Sequence, residues 1–303
     1  MKEIKLGKSD LNVSEIALGC MRMSELDTQK ASRVIETAYN EGINFYDHAD
    51  IYGKGESEER FKDALKNTFI NRDDIFLQSK TGIRSGYYDF SKQHIVSSVE
   101  KSLKRLGTEY LDVLLLHRPD TLVEPEEVAE AFNQLHSAGK VKQFGVSNHS
   151  PLQIELLKKY IDQELITNQL QFGLMHTGMI DAGIHVNTKD ENALDHDRAV
   201  LDYSRLNDMT IQPWSPVHAE DGVFLNNPKY QKVNDRLSEI GDKYGVDNEV
   251  MSIAWILRHP AEMQVILGTM TPERIKNYSQ ASKVKITREE WYDIYRAAGN
   301  SVP

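Results

Sequence analysis

Eight short apolar segments, each followed by an amphipathic helical pattern, recur along nearly the whole chain. Their apolar residues fill both faces, which is typical of strands in a buried parallel sheet. The segments are 15–21, 43–50, 75–81, 112–118, 143–149, 166–172, 209–215 and 263–269. Eight such strands are the number that closes a (β/α)8 barrel, a fold that often exceeds 250 residues as one unit. With no linker or low-complexity break, the sequence predicts an α/β protein in which residues 1–303 form a single (β/α)8 TIM barrel domain.

Helix start and stop signals separate these segments. Ala31, Val34, Ile35 and Ala38 share one helical face, and Gly42 follows as a stop. Ser150 followed by Pro151 and Gln153 is a capping-box start, and Thr271 followed by Pro272 opens another helix. The competing fold is an open doubly wound sheet, which normally carries a glycine-rich phosphate loop after an early strand. No G-x-G-x-x-G motif occurs in this chain, so the barrel is favoured.

Three segments lie outside the regular alternation. Residues 1–14 alternate apolar and polar side chains, which predicts a β-hairpin that covers the bottom of the barrel. The stretches 174–192 and 217–228 are long polar loops that follow predicted strands. Because barrel enzymes build their sites on such loops, we expect both stretches to wall a substrate pocket.

Charge and cysteine content bound the possible partners and compartment. The formal net charge is −10, and an acidic surface repels phosphate backbones and anionic lipid. We therefore expect no nucleic-acid partner and no membrane partner. Neither a signal sequence nor an apolar run of about 20 residues is present. The single cysteine, Cys20, suits a reducing compartment, so the expected location is cytoplasmic.

Four polar residues stand where predicted strands end. The second predicted strand ends in Asp47, with Tyr52 just beyond it, the third ends in Lys80 and the fourth in His117. Singly, each has an ordinary explanation as a helix cap, a surface residue, a rim lysine or a core histidine. Three consecutive strands place these groups at the carboxyl end of the barrel, which is where barrel enzymes have their active sites. The set therefore predicts a catalytic site.

Several motifs resemble the aldo-keto reductase family. FYDHADIYG resembles the segment that carries the family's aspartate and tyrosine, LQSKTG its lysine motif, and LDVLLLHRPD its histidine strand. The likeness continues through GVSNHS, TNQLQF, PWSPV and LGTMTPERI to the chain's last residues, which are similar to a bacterial subgroup of these oxidoreductases. The resemblance implies an NADPH-dependent reduction of aldehydes or ketones to alcohols, on a small-molecule carbonyl substrate.

The resemblance also implies roles for the four polar residues. Tyr52 would donate a proton to the carbonyl oxygen, while His117 would orient the carbonyl. Lowering a phenol pKa of about 10 by two units takes ~2.7 kcal/mol. An ammonium about 4 Å away supplies on the order of 4 kcal/mol at an effective dielectric near 20. We therefore expect Lys80, paired with Asp47, to lower the pKa of Tyr52.

The same resemblance implies a cofactor laid across the barrel mouth. Ser147, Asn148 and Gln169 would bind the nicotinamide amide, and Trp214 would stack on its ring. The full set of expected cofactor contacts is Met21, Arg22, Asp47, Ser147, Asn148, Gln169, Trp214, Ser215, Pro216, Gly268, Thr269, Met270, Arg274 and Asn277.

The choice of NADPH depends chiefly on Arg274. It falls in the first turn of a predicted helix, where a cation opposes the helix dipole unless an anion is bound there. The 2′-phosphate of NADPH is such an anion. Many relatives carry a lysine at the place of Gly268 and a Glu-Asn pair at Asn277-Tyr278, so one phosphate-binding charge is missing. NADH therefore stays possible.

Two other functions remain open at this stage. The same fold and cofactor serve as a non-enzymatic sensor or regulatory subunit in potassium-channel β subunits. A barrel isomerase or aldolase using Lys80 as a Schiff base is a second alternative, although it leaves Trp214 and Arg274 without a role. No metal is expected, because His176, His185 and His196 lack metal-ligand spacing. The sequence does not predict the oligomeric state.

Overall fold

All eight predicted barrel strands are present in the computed structural model of the chain, which describes residues 1–303. The strands are β1 (Glu3–Lys5), β2 (Asn12–Ser14), β3 (Ile16–Gly19), β4 (Phe45–Asp47), β5 (Phe76–Thr81), β6 (Ile83–Arg84), β7 (Tyr87–Tyr88), β8 (Leu111–Leu116), β9 (Val141–Ser147), β10 (Leu165–Gln171), β11 (Thr210–Trp214), β12 (His218–Ala219), β13 (Gly222–Val223) and β14 (Val265–Leu267). The helices are α1 (Thr28–Asn40), α2 (Glu56–Leu65), α3 (Lys92–Leu106), α4 (Pro125–Ser137), α5 (Pro151–Lys158), α6 (Gly178–Ile184), α7 (Val200–Leu206), α8 (Gln231–Tyr244), α9 (Asn248–Leu257), α10 (Pro272–Ser279) and α11 (Arg288–Ala297).

The barrel consists of eight parallel strands in the order β11-β10-β9-β8-β5-β4-β3-β14. The two end strands approach each other where the amide of Gln264 donates to the carbonyl oxygen of Ile211 at 3.0 Å. The predicted (β/α)8 fold is confirmed. Several strands are shorter than predicted, and β4 keeps only three residues of 43–50. Beyond its end, His48 and Asp50 still donate backbone hydrogen bonds to Gln78 and Lys80 of β5.

The helices cover the outside of the barrel through the apolar faces that the sequence predicts. Ala31, Val34, Ile35 and Ala38 of α1 are all buried. The capping box at the start of α5 is formed, with Ser150 and Gln153 satisfying each other's backbone amides. None of the helices combines the length and the apolar character that a bilayer crossing requires.

The amino-terminal hairpin closes one end of the barrel. Strands β1 and β2 pair antiparallel, and Ile4, Leu6 and Val13 pack on apolar side chains inside the barrel. Gly7, between the strands, has a φ of +56°, and a Cβ there would lie 2.2 Å from the carbonyl oxygen of Ile166. Only glycine allows this approach, which brings the hairpin onto the barrel floor. The predicted β-hairpin is confirmed.

The two stretches expected to be loops carry short elements of their own. Residues 174–192 include helix α6, and residues 217–228 include the two-stranded hairpin of β12 and β13. Their sequence patterns are too short to indicate regular structure. Both stretches nevertheless lie at the end of the barrel where strands β10 and β11 finish, opposite the β1–β2 hairpin.

Candidate active site

A cleft of about 380 Å³ opens at the carboxyl ends of the barrel strands. Most residues that the sequence predicts for the site line it together. These are Met21, Arg22, Asp47, Tyr52, His117, Ser147, Asn148, Gln169, Trp214, Ser215, Pro216, Gly268, Thr269 and Arg274. Lys80 lies beneath the cleft surface, where it hydrogen-bonds to Asp47 and Tyr52, which both line the cleft. A second cavity, of about 940 Å³, lies against α6 and the chain's last residues and contains none of the four predicted catalytic side chains, so size alone does not identify the site.

Lys80 is a buried ammonium whose three protons all have acceptors. Its Nζ lies 2.7 Å from Asp47 Oδ2, 2.8 Å from the carbonyl oxygen of His48 and 3.1 Å from the hydroxyl of Tyr52. Lys80 is 1% exposed and Asp47 is 2% exposed. Burial alone lowers the pKa of Lys80, but Asp47 and Tyr52 together hold that pKa above its ordinary value. Lys80 is therefore a fixed, fully hydrogen-bonded cation.

The expected effect of Lys80 on Tyr52 is wrong in its net direction. The pKa of Tyr52 is raised from 10, because burial is the largest influence and outweighs the lowering by the Lys80 charge. Asp47 also raises this pKa, since it offsets the ammonium beside it. The expectation from the sequence considered only the charge of Lys80. It left out both the desolvation of Tyr52 and the carboxylate of Asp47. In the folded chain Tyr52 is thus a protonated phenol that accepts from Lys80, and its own O–H is left to donate elsewhere.

His117 is a neutral imidazole beside Tyr52. The two rings meet edge to face with centroids 6.0 Å apart. Burial, with the charges of Lys80 and Arg118, lowers the pKa of His117 to about 2. Its Nδ1 is buried and has no partner within the chain. A neutral imidazole can donate one hydrogen bond without carrying charge into the cleft.

A chain of buried glutamine amides supports Asp47 from within the barrel. Gln78 and Gln169 donate to Asp47 Oδ1 at 2.6 and 3.0 Å, and both also contact Gln212. Gln212 in turn donates to Gln264 at 2.7 Å, and Gln264 donates to the carbonyl oxygen of Ser14 at the barrel floor. Sequence reasoning identified only Gln169 of these. The signal for the others is a polar residue inside an otherwise apolar strand.

Amide and aromatic groups form the wall of the cleft opposite Tyr52. Trp214 Nε1 donates to Asn148 Oδ1 at 3.2 Å, and the Asn148 amide nitrogen donates to Ser147 Oγ at 2.8 Å. Asn148 and Ser215 both have a positive φ, at 60° and 51°, which is uncommon for residues other than glycine. Such strained backbone positions cluster at functional sites. No sequence pattern predicted the positive φ of these two residues.

Three arginines surround the cleft, although the chain as a whole is acidic. Arg22 donates to the carbonyl oxygen of Gly268, and the Arg118 guanidinium lies 5.9 Å from the centroid of the Trp214 ring. Arg274 occupies the first turn of α10 and is paired with Glu249 at 2.8 Å. The only carboxylate on the cleft wall, that of Asp47, is already paired with Lys80. The cleft thus favours an anionic ligand.

Two predicted cofactor contacts do not reach the cleft. Met270 lies in a separate depression between α1 and α10. Asn277 donates to Asp247 Oδ2 at 2.7 Å, outside the cleft wall. His218 and Val223 of the β12–β13 hairpin do line it, as expected for the 217–228 stretch. The stretch 174–192 lines an adjoining polar cavity through His176 and Met179. No group of three or more His, Cys, Asp or Glu side chains is arranged to hold a metal ion.

Comparison with known proteins identifies the family. The model of the aldo/keto reductase family matches residues 15–298. The chain belongs to this family. It is therefore an oxidoreductase of the aldo-keto reductase type, a family that uses a nicotinamide cofactor and acts on small carbonyl compounds.

Individual relatives extend over the full length of this aldo-keto reductase. It is 35% identical to the uncharacterized oxidoreductase YcsN of Bacillus subtilis, with 100% of each chain covered. It is also 35% identical to the 6-dehydroglucose reductase of Agrobacterium fabrum, with 95% of each covered. The crystal structure of the thermostable aldo-keto reductase Tm1743, in complex with the inhibitor epalrestat, superposes with a TM-score of 0.80. That structure covers 98% of this chain and 100% of its own at 22% identity, so it supports the fold alone.

Proposed function

We propose that this chain reduces aldehydes or ketones to alcohols with NADPH, and that Tyr52 donates the proton. The hydrogen bond from Lys80 Nζ to the Tyr52 hydroxyl, at 3.1 Å, is the observation that carries the proposal. Because the phenol oxygen already accepts from an ammonium, its own proton is directed away from Lys80. Tyr52 lines the cleft in which that proton is usable.

The side chains divide the work of a carbonyl reduction. When bound, the cofactor supplies a hydride to the carbonyl carbon. Tyr52 transfers its phenolic proton to the carbonyl oxygen as negative charge develops there, and Lys80 stabilises the phenolate left behind. His117, neutral at physiological pH, donates a hydrogen bond to the same oxygen and orients it. Solvent returns a proton to Tyr52 afterwards.

The groups around the cleft fit a nicotinamide dinucleotide. The amides of Asn148 and Gln169 supply donors and acceptors for a carboxamide, and Trp214 offers an aromatic face at the wall of the same cleft. Arg22 and Arg274 supply positive charge for phosphates. We assign NADPH rather than NADH because Arg274 stands in the first turn of α10, where a 2′-phosphate gains from both the guanidinium and the helix end.

The Schiff-base alternative conflicts with the state of Lys80. A lysine nucleophile needs an unprotonated nitrogen, yet the pKa of Lys80 is raised and its three protons are all engaged. Lys80 therefore acts as a charge and not as a nucleophile.

The test is steady-state oxidation of NADPH with a panel of aliphatic, aromatic and sugar aldehydes and of ketones. A sugar aldehyde belongs in the panel because one relative is named 6-dehydroglucose reductase. We expect turnover in the wild type and a fall in kcat of roughly 10²–10⁴-fold in Tyr52→Phe, the usual contribution of a general acid.

Tyr46→Phe is the matched control. Tyr46 is buried and does not line the cleft. The substitution removes only its hydrogen bond to the carbonyl oxygen of Ile35. It should keep near-normal turnover. Equal losses in the two variants would contradict the role of Tyr52. Tight NADPH binding without turnover on any carbonyl would favour a non-enzymatic sensor instead.

A further inference from the structure

Arg274 is held by a carboxylate from another helix. Its Nη2 lies 2.8 Å from Glu249 Oε1 and 3.1 Å from the hydroxyl of Tyr278. The side chain of Glu249 is 16% exposed and that of Arg274 is 40% exposed, so the pair is partly withdrawn from water. Glu249 comes from the first turn of α9, and Arg274 from the first turn of α10. The two helix ends thus face each other across this ion pair.

The other groups of α10 reinforce the position of Glu249. Asn277 donates to Asp247 Oδ2 at 2.7 Å and to Glu249 Oε2 at 3.4 Å. Both oxygens of Glu249 are therefore occupied by α10 side chains. Arg274 Nε is buried without a partner, which leaves the guanidinium with unused donor capacity.

The other cation near Gly268 is Arg22, which comes from the end of β3 and not from α10. At Gly268 a Cβ would meet only Arg22 Nη2, at 3.8 Å, so the position is open and bears no charge. The guanidinium of Arg22 donates to the carbonyl oxygen of Gly268. Arg274 is the α10 charge that the proposed function assigns to a 2′-phosphate, and Glu249 already pairs with it at 2.8 Å.

We infer that Glu249 determines how strongly this protein selects nucleotides that carry a 2′-phosphate. A phosphate bears about −1.5 to −2 charges and is repelled by the carboxylate of Glu249, which lies 2.8 Å from Arg274. A ribose 2′-hydroxyl carries no charge and can donate to the same carboxylate, so an unphosphorylated nucleotide meets no such opposition. Glu249 therefore narrows the difference in affinity between the two nucleotide classes. The inference rests on the proposed function in taking Arg274 as the phosphate contact.

The experiment measures equilibrium binding of 2′,5′-ADP and of 5′-AMP, which lacks only the 2′-phosphate, by calorimetry. Glu249→Gln keeps the size of the side chain and removes its charge. We expect 2′,5′-ADP to bind about tenfold more tightly in this variant, with 5′-AMP changed by no more than about twofold. Glu249→Ala is the second variant, and it should shift the same ratio in the same direction.

Asp247→Asn is the matched control. It removes an equal charge two residues away from Glu249, and asparagine can still cap α9. Asp247 pairs with Asn277 and makes no contact with Arg274. The ratio of the two affinities should therefore change by less than about threefold. An equal gain in Asp247→Asn, or an unchanged ratio in both Glu249 variants, overturns the inference.

Arg274→Met separates this inference from the proposed cofactor. In wild-type and Glu249→Gln backgrounds it should weaken 2′,5′-ADP and abolish the gain from Glu249→Gln, because the two residues act through one contact. If Arg274→Met leaves 2′,5′-ADP unaffected in both backgrounds, the assignment of NADPH to Arg274 fails. If it weakens binding while Glu249→Gln changes nothing, only the role of Glu249 fails.

Discussion

Lys80 shows how a single buried residue can carry a charge inside this barrel. Removing an ammonium from water costs several kcal/mol, and it is tolerated only with close partners that satisfy its protons. Asp47, the His48 carbonyl and Tyr52 supply three such partners within 3.1 Å. The pKa of Tyr52 is nevertheless not lowered, because burial outweighs the charge of Lys80 and Asp47 offsets part of that charge. In the proposed function Lys80 thus positions Tyr52 and stabilises its phenolate from a fixed point below the cleft.

Gln78 should matter to catalysis although it does not line the cleft. Its amide nitrogen donates to Asp47 Oδ1 at 2.6 Å. Hydrogen bonds to charged groups contribute about 1.5–3 kcal/mol, so Gln78→Leu should lower kcat by roughly 10–100-fold as Asp47 and Lys80 lose their fixed geometry. KM for the carbonyl substrate should change little, because Gln78 does not contact the cleft.

The control for Gln78→Leu is the same substitution at Gln264. Gln264 is buried in the same amide chain, but it contacts Gln212 and the Ser14 carbonyl and not Asp47. Gln264→Leu should destabilise the fold and leave kcat within a few-fold of wild type. The positioning role of Gln78 is contradicted when both variants lose activity in parallel.

At the scale of elements, the packing of the amino-terminal hairpin on the barrel depends on the close approach of the Gly7 and Ile166 backbones. Gly7→Ala combines a left-handed conformation, which costs about 1–2 kcal/mol, with overpacking worth about 1–3 kcal/mol. We expect the free energy of unfolding, measured in urea, to fall by roughly 2–5 kcal/mol. Gly139→Ala is matched to it, since Gly139 also has a positive φ but no neighbour within 4 Å of a Cβ. That variant should lose only about 1–2 kcal/mol. Equal losses would mean that the approach to Ile166 is unimportant.

At the scale of the whole molecule, stability should depend on the ionisation of Asp50. Burial raises the pKa of Asp50 to about 6 from 3.8, a change that exceeds the lowering by the hydrogen bond from Ser98. Its Oδ1 is buried without a partner. The folded chain thus binds this proton more tightly than the unfolded chain does. The Asp50 contribution to stability is fully present below pH 4 and is lost as the pH rises through 6.

Asp50→Asn should remove the loss of stability that accompanies ionisation of Asp50. The variant should gain roughly 2–3 kcal/mol in free energy of unfolding relative to wild type at pH 8, and nearly nothing at pH 4. Chemical denaturation at the two pH values measures this difference. Asp10→Asn, which alters a fully exposed carboxylate, should show no such dependence. A constant difference between Asp50→Asn and wild type across the pH range would argue against ionisation as the cause.

The sequence predicts the order of elements better than it predicts the contacts between them. Strand periodicity reports local burial, so all eight barrel strands and the start of α5 are correct. Which polar strand ends meet is set by the register between strands, as where Lys80 pairs with Leu115 and Gln78 with Val113. Three strands ending in polar groups were sufficient to predict that Asp47, Lys80 and His117 converge.

Features that depend on tertiary partners were not predictable in this way. The buried glutamine chain joins glutamines up to 134 positions apart, as between Gln78 and Gln212. Glu249 was not identified because nothing in α9 indicates that α10 places Arg274 against it. The raised pKa of Tyr52 was not predicted for a related reason. Desolvation depends on all the groups that surround the phenol and not on any one pair of residues.

Side chains fill the barrel interior and the hairpin covers its amino-terminal end, so Tyr52 is reached from the cleft. Where two ligands share one entrance and one lies deeper than the other, the deeper ligand must arrive first and depart last. Product inhibition patterns should therefore show a compulsory sequence of binding and release. The rate at which the deeper ligand departs then sets an upper limit on turnover, however fast the chemical step is.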